Sequence, residues 1–457
     1  MRSDLGWFFS LCQEGGLLTA EQAHQLITEI DFASTLEEVA DRTAAHGWIS
    51  RPEDVRNQVK EAGKRSKKGD TAPELTPPPQ VDLAGNAPDF ASWQSMDDTS
   101  LKSAMGDWVE FCQIHGVSDL HLTAGARPRV RHYREIVYLS DHDLDPGLAE
   151  RMNLILLTDE QQKAFAEDWD LDYSIPLETE GPETSHRLRV NLTRHHSGVS
   201  GVYHMARPTI GTLEELGFPN AETIRKLLAY HNGIILVTGP VGSGKTTTLA
   251  SLLNELNETR SSHIITIEDP IEVVQSSKEC ILTQRQVGVH TRSFDRALGS
   301  ALREDPDIIV VGEMRDLETI EMALTAAETG HLVIGTLHTR DAASTLSRLL
   351  DVFPSRQQSQ IRAMTADSLR GIICQRLLPS TDGKVALACE LMINNSATAN
   401  IMRDAKESGL EAAIQTGRKQ GMRAMDESIA ELYEVGRISL ETAQYYIKDQ
   451  NLLSRNS

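Results

Sequence analysis

The sequence is poor in the features that would put a chain outside the cytoplasm or on a nucleic acid. Its five cysteines, Cys12, Cys112, Cys280, Cys374 and Cys389, are scattered with no C-x-x-C pair. That excludes a thiolate zinc site or a disulfide framework and reads as buried apolar residues in a reducing compartment. No apolar run approaches the about 18 residues a transmembrane helix needs. The first residues lack the basic region and apolar core of a signal peptide. Positive charge is also short, with 45 Lys and Arg against 66 Asp and Glu and a formal net charge of −21. A nucleic-acid-binding surface is therefore not the main purpose of the chain. At 457 residues it should hold two or three domains.

What is present is organised around residues 233–253. Ile234 to Val237 is an apolar run long enough for a buried strand and too short for a helix. It leads into Gly239-Pro-Val-Gly-Ser-Gly-Lys-Thr246, which fits G-x-x-x-x-G-K-[ST]. Leu249, Leu252, Leu253 and Leu256 then fall at helical spacing. Glycines let consecutive backbone N–H groups approach phosphate oxygens, and the following helix directs its positive end at the same anion. Gly239, Pro240, Val241, Gly242, Ser243, Gly244, Lys245, Thr246 and Thr247 are thus the candidate nucleotide-binding residues, with Lys245 on the β- and γ-phosphates and the Thr246 hydroxyl on Mg²⁺. P-loop motors include helicases, which is why the negative charge matters.

In chain order, residues 1–62 read as a helical module, with Thr19 and Gln22 spaced as a capping box. Residues 63–99 read as a linker, with the basic cluster Lys64, Arg65, Lys67 and Lys68 followed by Pro73, Pro77, Pro78 and Pro79. Residues 100–210 form an α+β domain. Helices are expected over 105–114 and 150–165, and strands around Leu120 and Leu122, over 135–139, and around Leu188, Val190 and Leu192. Arg187 and Arg189 project from one face of that last strand, opposite the core. Residues 211–457 carry the P-loop and three more apolar runs, ending at Glu268-Asp269, Gly312-Glu313 and His338. In an open parallel sheet such ends meet in one crevice. Glu268, Asp269 and Glu272 are candidates to orient an attacking water, and Glu313 to hold Mg²⁺ through water, although Gly312 stands where an Asp is usual. His338 reads equally as a core histidine and as a γ-phosphate sensor. A helix start at Ser355, a strand over 385–392 and a helical bundle over 396–448, with a stripe of Ile429, Leu432 and Tyr433, complete the chain.

Taken together, the P-loop, Thr266-Ile-Glu-Asp-Pro-Ile-Glu272, Leu302-Arg-Glu-Asp-Pro-Asp-Ile-Ile309, Gly312-Glu-Met-Arg-Asp316 and Glu328-Thr-Gly-His-Leu332 with Thr336-Leu-His-Thr339 resemble the secretion-type hexameric ATPases. Within that family they look like the type IV pilus retraction branch. Gly116-Val-Ser-Asp-Leu-His-Leu-Thr-Ala-Gly125 resembles the opening of the family's PAS-like N-terminal domain. The tetracysteine insertion usual in the assembly and type II secretion branches is absent. The resemblance implies an α/β fold, a RecA-like P-loop core with a PAS-like α+β N-terminal domain, here preceded by an extra helical module. It implies a homohexameric ring binding ATP and Mg²⁺ between domains. Lys245 and Thr246 match the Walker A residues and Glu313 the Walker B acid. Glu272 matches the last glutamate of the family's Asp box and is expected to orient or deprotonate the attacking water, His338 matches the His box, and Arg187 and Arg189 match the arginine strand, with an arginine-finger role.

There are departures. Ser197 and His204 stand where relatives often carry arginine. The retraction motif reads Ala397-Thr-Ala-Asn-Ile-Met-Arg-Asp404, with Ala399 in place of its first arginine. The expected function is a motor driving pilus retraction through an inner-membrane platform protein, cytoplasmic, with no nucleic acid and only indirect membrane contact. An assembly or secretion motor, or an ATP-gated scaffold with little turnover, remain the alternatives.

Overall fold

The structure, a computed structural model, describes residues 3–30, 35–49, 52–68, 72–73, 82–133, 135–176, 184–205 and 210–454. Contacts divide the chain into two compact units, residues 1–80 with 213–245 and 337–457, and residues 81–212 with 246–336. Among the described residues no helix is long and apolar enough to cross a membrane.

The chain opens with four helices, α1 (Ser3–Glu14), α2 (Ala20–Glu29), α3 (Leu36–Ala45) and α4 (Pro52–Lys68). Thr19 caps α2 in the box its spacing predicts, the Gln22 amide donating to Thr19 Oγ1 and the Thr19 amide to Gln22 Oε1. Thr35 and Glu38 repeat the device at α3. Each box satisfies two backbone donors that a helix start leaves orphaned. The helices enclose their own core of Leu5, Phe8, Phe9, Cys12, Leu26, Val39 and Val55. Helix α4 runs on to Lys68, past the linker start expected at residue 63. The Arg65 guanidinium lies 4.6 Å from the Trp7 ring centroid and 3.2 Å from a Glu61 oxygen, so part of the basic cluster is held by the module. The linker's Pro77, Pro78 and Pro79 lie outside the described residues.

Residues 82–99, also expected as linker, are packed. Leu83, Phe90 and Trp93 are buried in one cluster with Leu101, Met105 and Trp108. Phe90 and Trp93 meet edge to face at 5.2 Å. Three large apolar side chains offset the ordering entropy that a purely polar, Pro-rich segment could not. Helix α5 (Asp98–Ile114) follows, then β1 (Val117–Thr123), β2 (Arg129–His132), β3 (Glu135–Tyr138), α6 (Pro146–Leu154), α7 (Asp159–Asp168), β4 (Asp170–Pro176), β5 (Thr184–His195) and β6 (Gly198–His204). The strands form an antiparallel sheet in the order β3-β2-β1-β6-β5-β4. The single helix expected over 150–165 is two. The chain breaks at buried Leu157, and Thr158 caps α7 through a box with Gln161.

The remaining elements are α8 (Ala221–Leu228), β7 (Gly233–Thr238), α9 (Lys245–Thr259), β8 (His263–Glu268), β9 (Val273–Gln275), β10 (Ile281–Gln286), α10 (Phe294–Ala301), β11 (Ile308–Val311), α11 (Leu317–Glu328), β12 (Leu332–Leu337), α12 (Ala342–Asp351), α13 (Ser355–Ser368), β13 (Leu369–Pro379) and β14 (Val385–Ile393). β10, β8, β11 and β12 pair in parallel, with Leu282 opposite Ile264 and Ile264 and Leu332 opposite Ile308. β7 pairs in parallel with β13, which pairs antiparallel with β14. Every residue of β7, β11 and β12 is buried, as continuous apolar runs covered on both faces require. Short helices α14 (Ser396–Arg403), α15 (Leu410–Thr416), α16 (Met425–Glu434), α17 (Leu440–Tyr446) and α18 (Asn451–Ser454) finish the chain. Ile429 is fully buried, while Leu432 and Tyr433 are half-buried. All five cysteines are free and buried, and burial pushes the Cys12 and Cys112 thiols up to about 12.

Candidate nucleotide site

Strand β7 delivers the P-loop, and the loop's own packing shows why its first residue is glycine. A Cβ on Gly239 would lie 2.4 Å from Ser243 Oγ and 2.5 Å from the Gln375 carbonyl oxygen. Gln375 Nε2 in turn donates to the Ser243 carbonyl at 2.6 Å, clamping the loop to β13. Ser243 Oγ is buried without a hydrogen-bond partner in the protein, and Val241 at the tip is 87% exposed. Lys245 Nζ donates to the carbonyl oxygens of Gly239 and Pro240 at 2.9 and 3.1 Å, and lies 3.3 Å from His338 Nδ1. The ammonium is thus folded over its own loop, on acceptors that phosphate oxygens can replace. Helix α9 starts at Lys245 and directs backbone N–H groups and the positive end of its dipole toward that loop. A polyphosphate fits this donor set.

The carboxylates separate by their partners. Glu268 accepts hydrogen bonds from Thr266 Oγ1 at 2.6 Å and Gln284 Nε2 at 3.1 Å, which ties it to β8 and β10. Glu313 pairs with Arg315 at 2.7 Å. Gly312 sits where an Asp was missing, and the structure gives the reason. A Cβ there would lie 3.1 Å from the Ile267 carbonyl oxygen and 3.3 Å from Glu268 Cα. The close approach of β11 to the end of β8 therefore displaces the acid by one residue.

Glu272 is the perturbed one. Burial raises its carboxyl above the ordinary range, against the opposing pull of Arg189, then His204, then the Thr246 hydroxyl within hydrogen-bonding reach. It stands immediately before β9, which pairs antiparallel with β5, Ser185 opposite Val274. That ladder sets Glu272 beside the strand carrying the arginines. Arg189 forms a two-pronged bond to Asp172, Nη2 at 2.6 Å and Nε at 3.2 Å, and its proton is held more tightly for it. Arg187 lies in β5, but its side chain is not among those described.

The structure therefore brings Thr246, Glu272, Arg189 and His204 together, and sets Lys245 against His338. Glu313 lies with Arg315, which also feels Asp269. Asp172 and Asp119 were not picked out in the sequence. Both join this neighbourhood only through strand register, and no local pattern marks them.

These features have close parallels. The family model for type II/IV secretion system proteins matches residues 183–456. The type IV pilus retraction ATPase PilT of Pseudomonas aeruginosa is 43% identical over 336 residues, 74% of this chain and 96% of that protein. A twitching motility protein of Neisseria gonorrhoeae is 39% identical over 78% of this chain and 90% of its own length. Among solved structures, the pilus retraction motor PilT with bound ADP superposes with a TM-score of 0.65 at 42% identity, covering 77% of this chain and 98% of that one. The matched region takes in the P-loop, Glu272, Glu313 and His338 alike, and it spans well over half the chain. The chain belongs to the type II/IV secretion system protein family.

Proposed function

We propose that this chain is the subunit of a hexameric, ATP-hydrolysing motor that powers type IV pilus retraction. The observation that carries this reading is Glu272 set beside Thr246 and Arg189, in a chain that covers nearly all of PilT at 43% identity. ATP lies with its phosphates in the loop 239–247. Lys245 exchanges its two loop carbonyls for β- and γ-phosphate oxygens. Thr246 and Glu313 hold Mg²⁺, Glu313 through water. Held there, Mg²⁺ would supply charge neutralisation for the phosphate oxygens. Glu272 accepts a proton from the attacking water, and its raised affinity for that proton suits the task. Arg189, with Arg187 beside it in the strand, meets the charge on the transferring group, and His338 faces the Lys245 ammonium.

The ring works at the inner membrane through a platform protein of the pilus machinery, without crossing the bilayer and without nucleic acid. Retraction is favoured over assembly because the retraction ATPase PilT and the twitching motility protein align over 96% and 90% of their own lengths. Ala399, at the retraction motif's missing arginine, is buried in α14, so the departure is built into the packing there. Complementation of a strain deleted for this gene tests the reading. Restored filament retraction by the wild type, and none by Glu272→Gln, is expected. Restoration of filament assembly instead would reverse the direction of force, and full activity in Glu272→Gln would remove the catalytic assignment.

A further inference from the structure

The helical module that ends with α4 at Lys68 has no part in the nucleotide chemistry, and the family model begins only at residue 183. Helix α4 carries its charge unevenly. Val55 and Ala62 are buried in the module's own core, which fixes the inner face of the helix. At about 100° per residue, Arg56, Lys60, Lys64, Lys67 and Lys68 fall within one arc of about 120° on the opposite side, and all five are exposed. Glu53, in the first turn, is the one acidic residue inside that arc. Glu61 stands at its border, 3.2 Å from Arg65 and 3.8 Å from Lys64. Among the described residues no carboxylate pairs with Arg56, Lys60, Lys67 or Lys68. The positive row runs about 18 Å along a straight rod.

We propose that this face of α4 docks the module on an anionic phospholipid surface, as a direct contact additional to the platform protein. The proposal rests on the reading of the chain as a ring-forming motor at the inner membrane. Three features choose the occupant. The first is charge. In a chain of net charge −21, a row of five positive side chains selects an anionic partner, and each lysine or arginine held near an anionic bilayer strengthens binding by about fivefold. The second is the lack of apolar relief. Among the module's described residues no large hydrophobic side chain is exposed. The module therefore offers neither the buried anchor around which a protein interface is built nor an apolar face to insert among acyl chains. The third is residue type. Four of the five are lysines, and no aromatic residue lies in the arc. Nucleic-acid faces add forked arginine contacts and stacking rings, whereas a plane of headgroup phosphates is met by point charges on flexible stems. A single module would bind weakly. In a closed ring, rotational symmetry turns the same face of every module to the same side, and the linked contacts reinforce one another.

The test is co-sedimentation of the purified full-length protein with vesicles of phosphatidylcholine alone or with about 30% phosphatidylglycerol, at low salt and at about 0.5 M salt. Three proteins are compared: the wild type, a triple variant Lys60→Gln, Lys64→Gln, Lys67→Gln, and its counterpart Lys60→Arg, Lys64→Arg, Lys67→Arg. The wild type should bind only the vesicles containing phosphatidylglycerol and should leave them at high salt. The glutamine variant should bind them about 100-fold more weakly, three charges at about fivefold each. The arginine variant should bind as the wild type does, because charge is what the surface reads. ATP hydrolysis without lipid should be equal for all three, which shows that they fold and assemble. A wild type that ignores phosphatidylglycerol, or binds phosphatidylcholine as well, overturns the proposal, and so does a glutamine variant that loses no affinity. Loss of the ring in the glutamine variant, read by light scattering, would make the face a contact with a second copy and overturn it too. Binding of duplex DNA in place of the vesicles would do the same. None of these outcomes touches the motor reading, which a wild type inactive toward ATP would overturn with vesicle binding intact.

Discussion

At the scale of single residues, chemistry separates three glutamates that the sequence sets close to the same strand ends. Glu268 is bonded to Thr266 and Gln284, Glu313 to Arg315, and Glu272 stands by Thr246 with its proton held more tightly than usual. Glu272→Gln should therefore keep Mg-ATP binding and lose about 10²–10⁴ in turnover, the range for a positioned general base. Glu268→Gln should lose far less, and Glu313→Gln should raise the Mg²⁺ concentration needed for half-maximal rate. Single-turnover hydrolysis with nucleotide affinities distinguishes the three. The pH dependence follows from the same shift. A base works only when ionised, and burial raises the proton affinity of Glu272, so the rate should fall with falling pH at a point above the ordinary glutamate range. That acid limb should vanish from the residual activity of Glu272→Gln. Lys245→Ala should abolish hydrolysis with its melting temperature nearly unchanged, because its ammonium bonds loop carbonyls and His338 and is not among the apolar core residues. Retention of half the wild-type rate would remove the P-loop assignment.

At the scale of elements, local signals were legible and packing signals were not. The P-loop strand, the box at Thr19 and the helix start at Ser355 follow from spacings of four residues or fewer, and each is where those spacings put it. The break between α6 and α7 was hidden because apolar spacing continues through it, although Thr158 and Gln161 spell out a second box. Residues 82–99 read as linker because Leu83, Phe90 and Trp93 are too sparse to show a period, yet all three reach one core. The placing of Asp119 and Arg189 on either side of His204 needs the register of three strands, which no single stretch encodes. A truncation series measures what residues 82–99 contribute. Removing residues 1–80 should leave ATPase activity and ring formation in place, since the helical module closes its own core. Removing 1–99 should destabilise the α+β domain, with Phe90→Ala or Trp93→Ala alone costing about 3–5 kcal/mol. Equal melting temperatures for the two truncations would show that residues 82–99 contribute nothing.

At the scale of the whole molecule, the strand carrying Arg187 and Arg189 is far in sequence from Glu272, and the two are joined by the short ladder between β5 and β9. Its register covers three residue pairs, Thr184–Gln275, Ser185–Val274 and His186–Val273. Strand pairing makes this joint, so the side chains of Val273 and Val274 are not what aligns Glu272, although Gln275 and Gln284 brace the segment from behind. Val274→Thr should accordingly leave the hydrolysis rate near that of the wild type. Val274→Pro, which removes a donor and fixes the backbone, should lower it as far as losing Glu272 does, with Mg-ATP affinity unchanged; a fast Val274→Pro enzyme would show that the ladder is dispensable. The joint is consequently open to mutational drift. Over generations the identities at 273 and 274 can wander among strand-forming residues without consequence for the chemistry just upstream, whereas buried Gln275 is tied by its Nε2 to the Ala250 carbonyl at 3.0 Å, so variability at the first two positions would say nothing about their importance. What heredity must preserve at those two is a backbone, not a side chain.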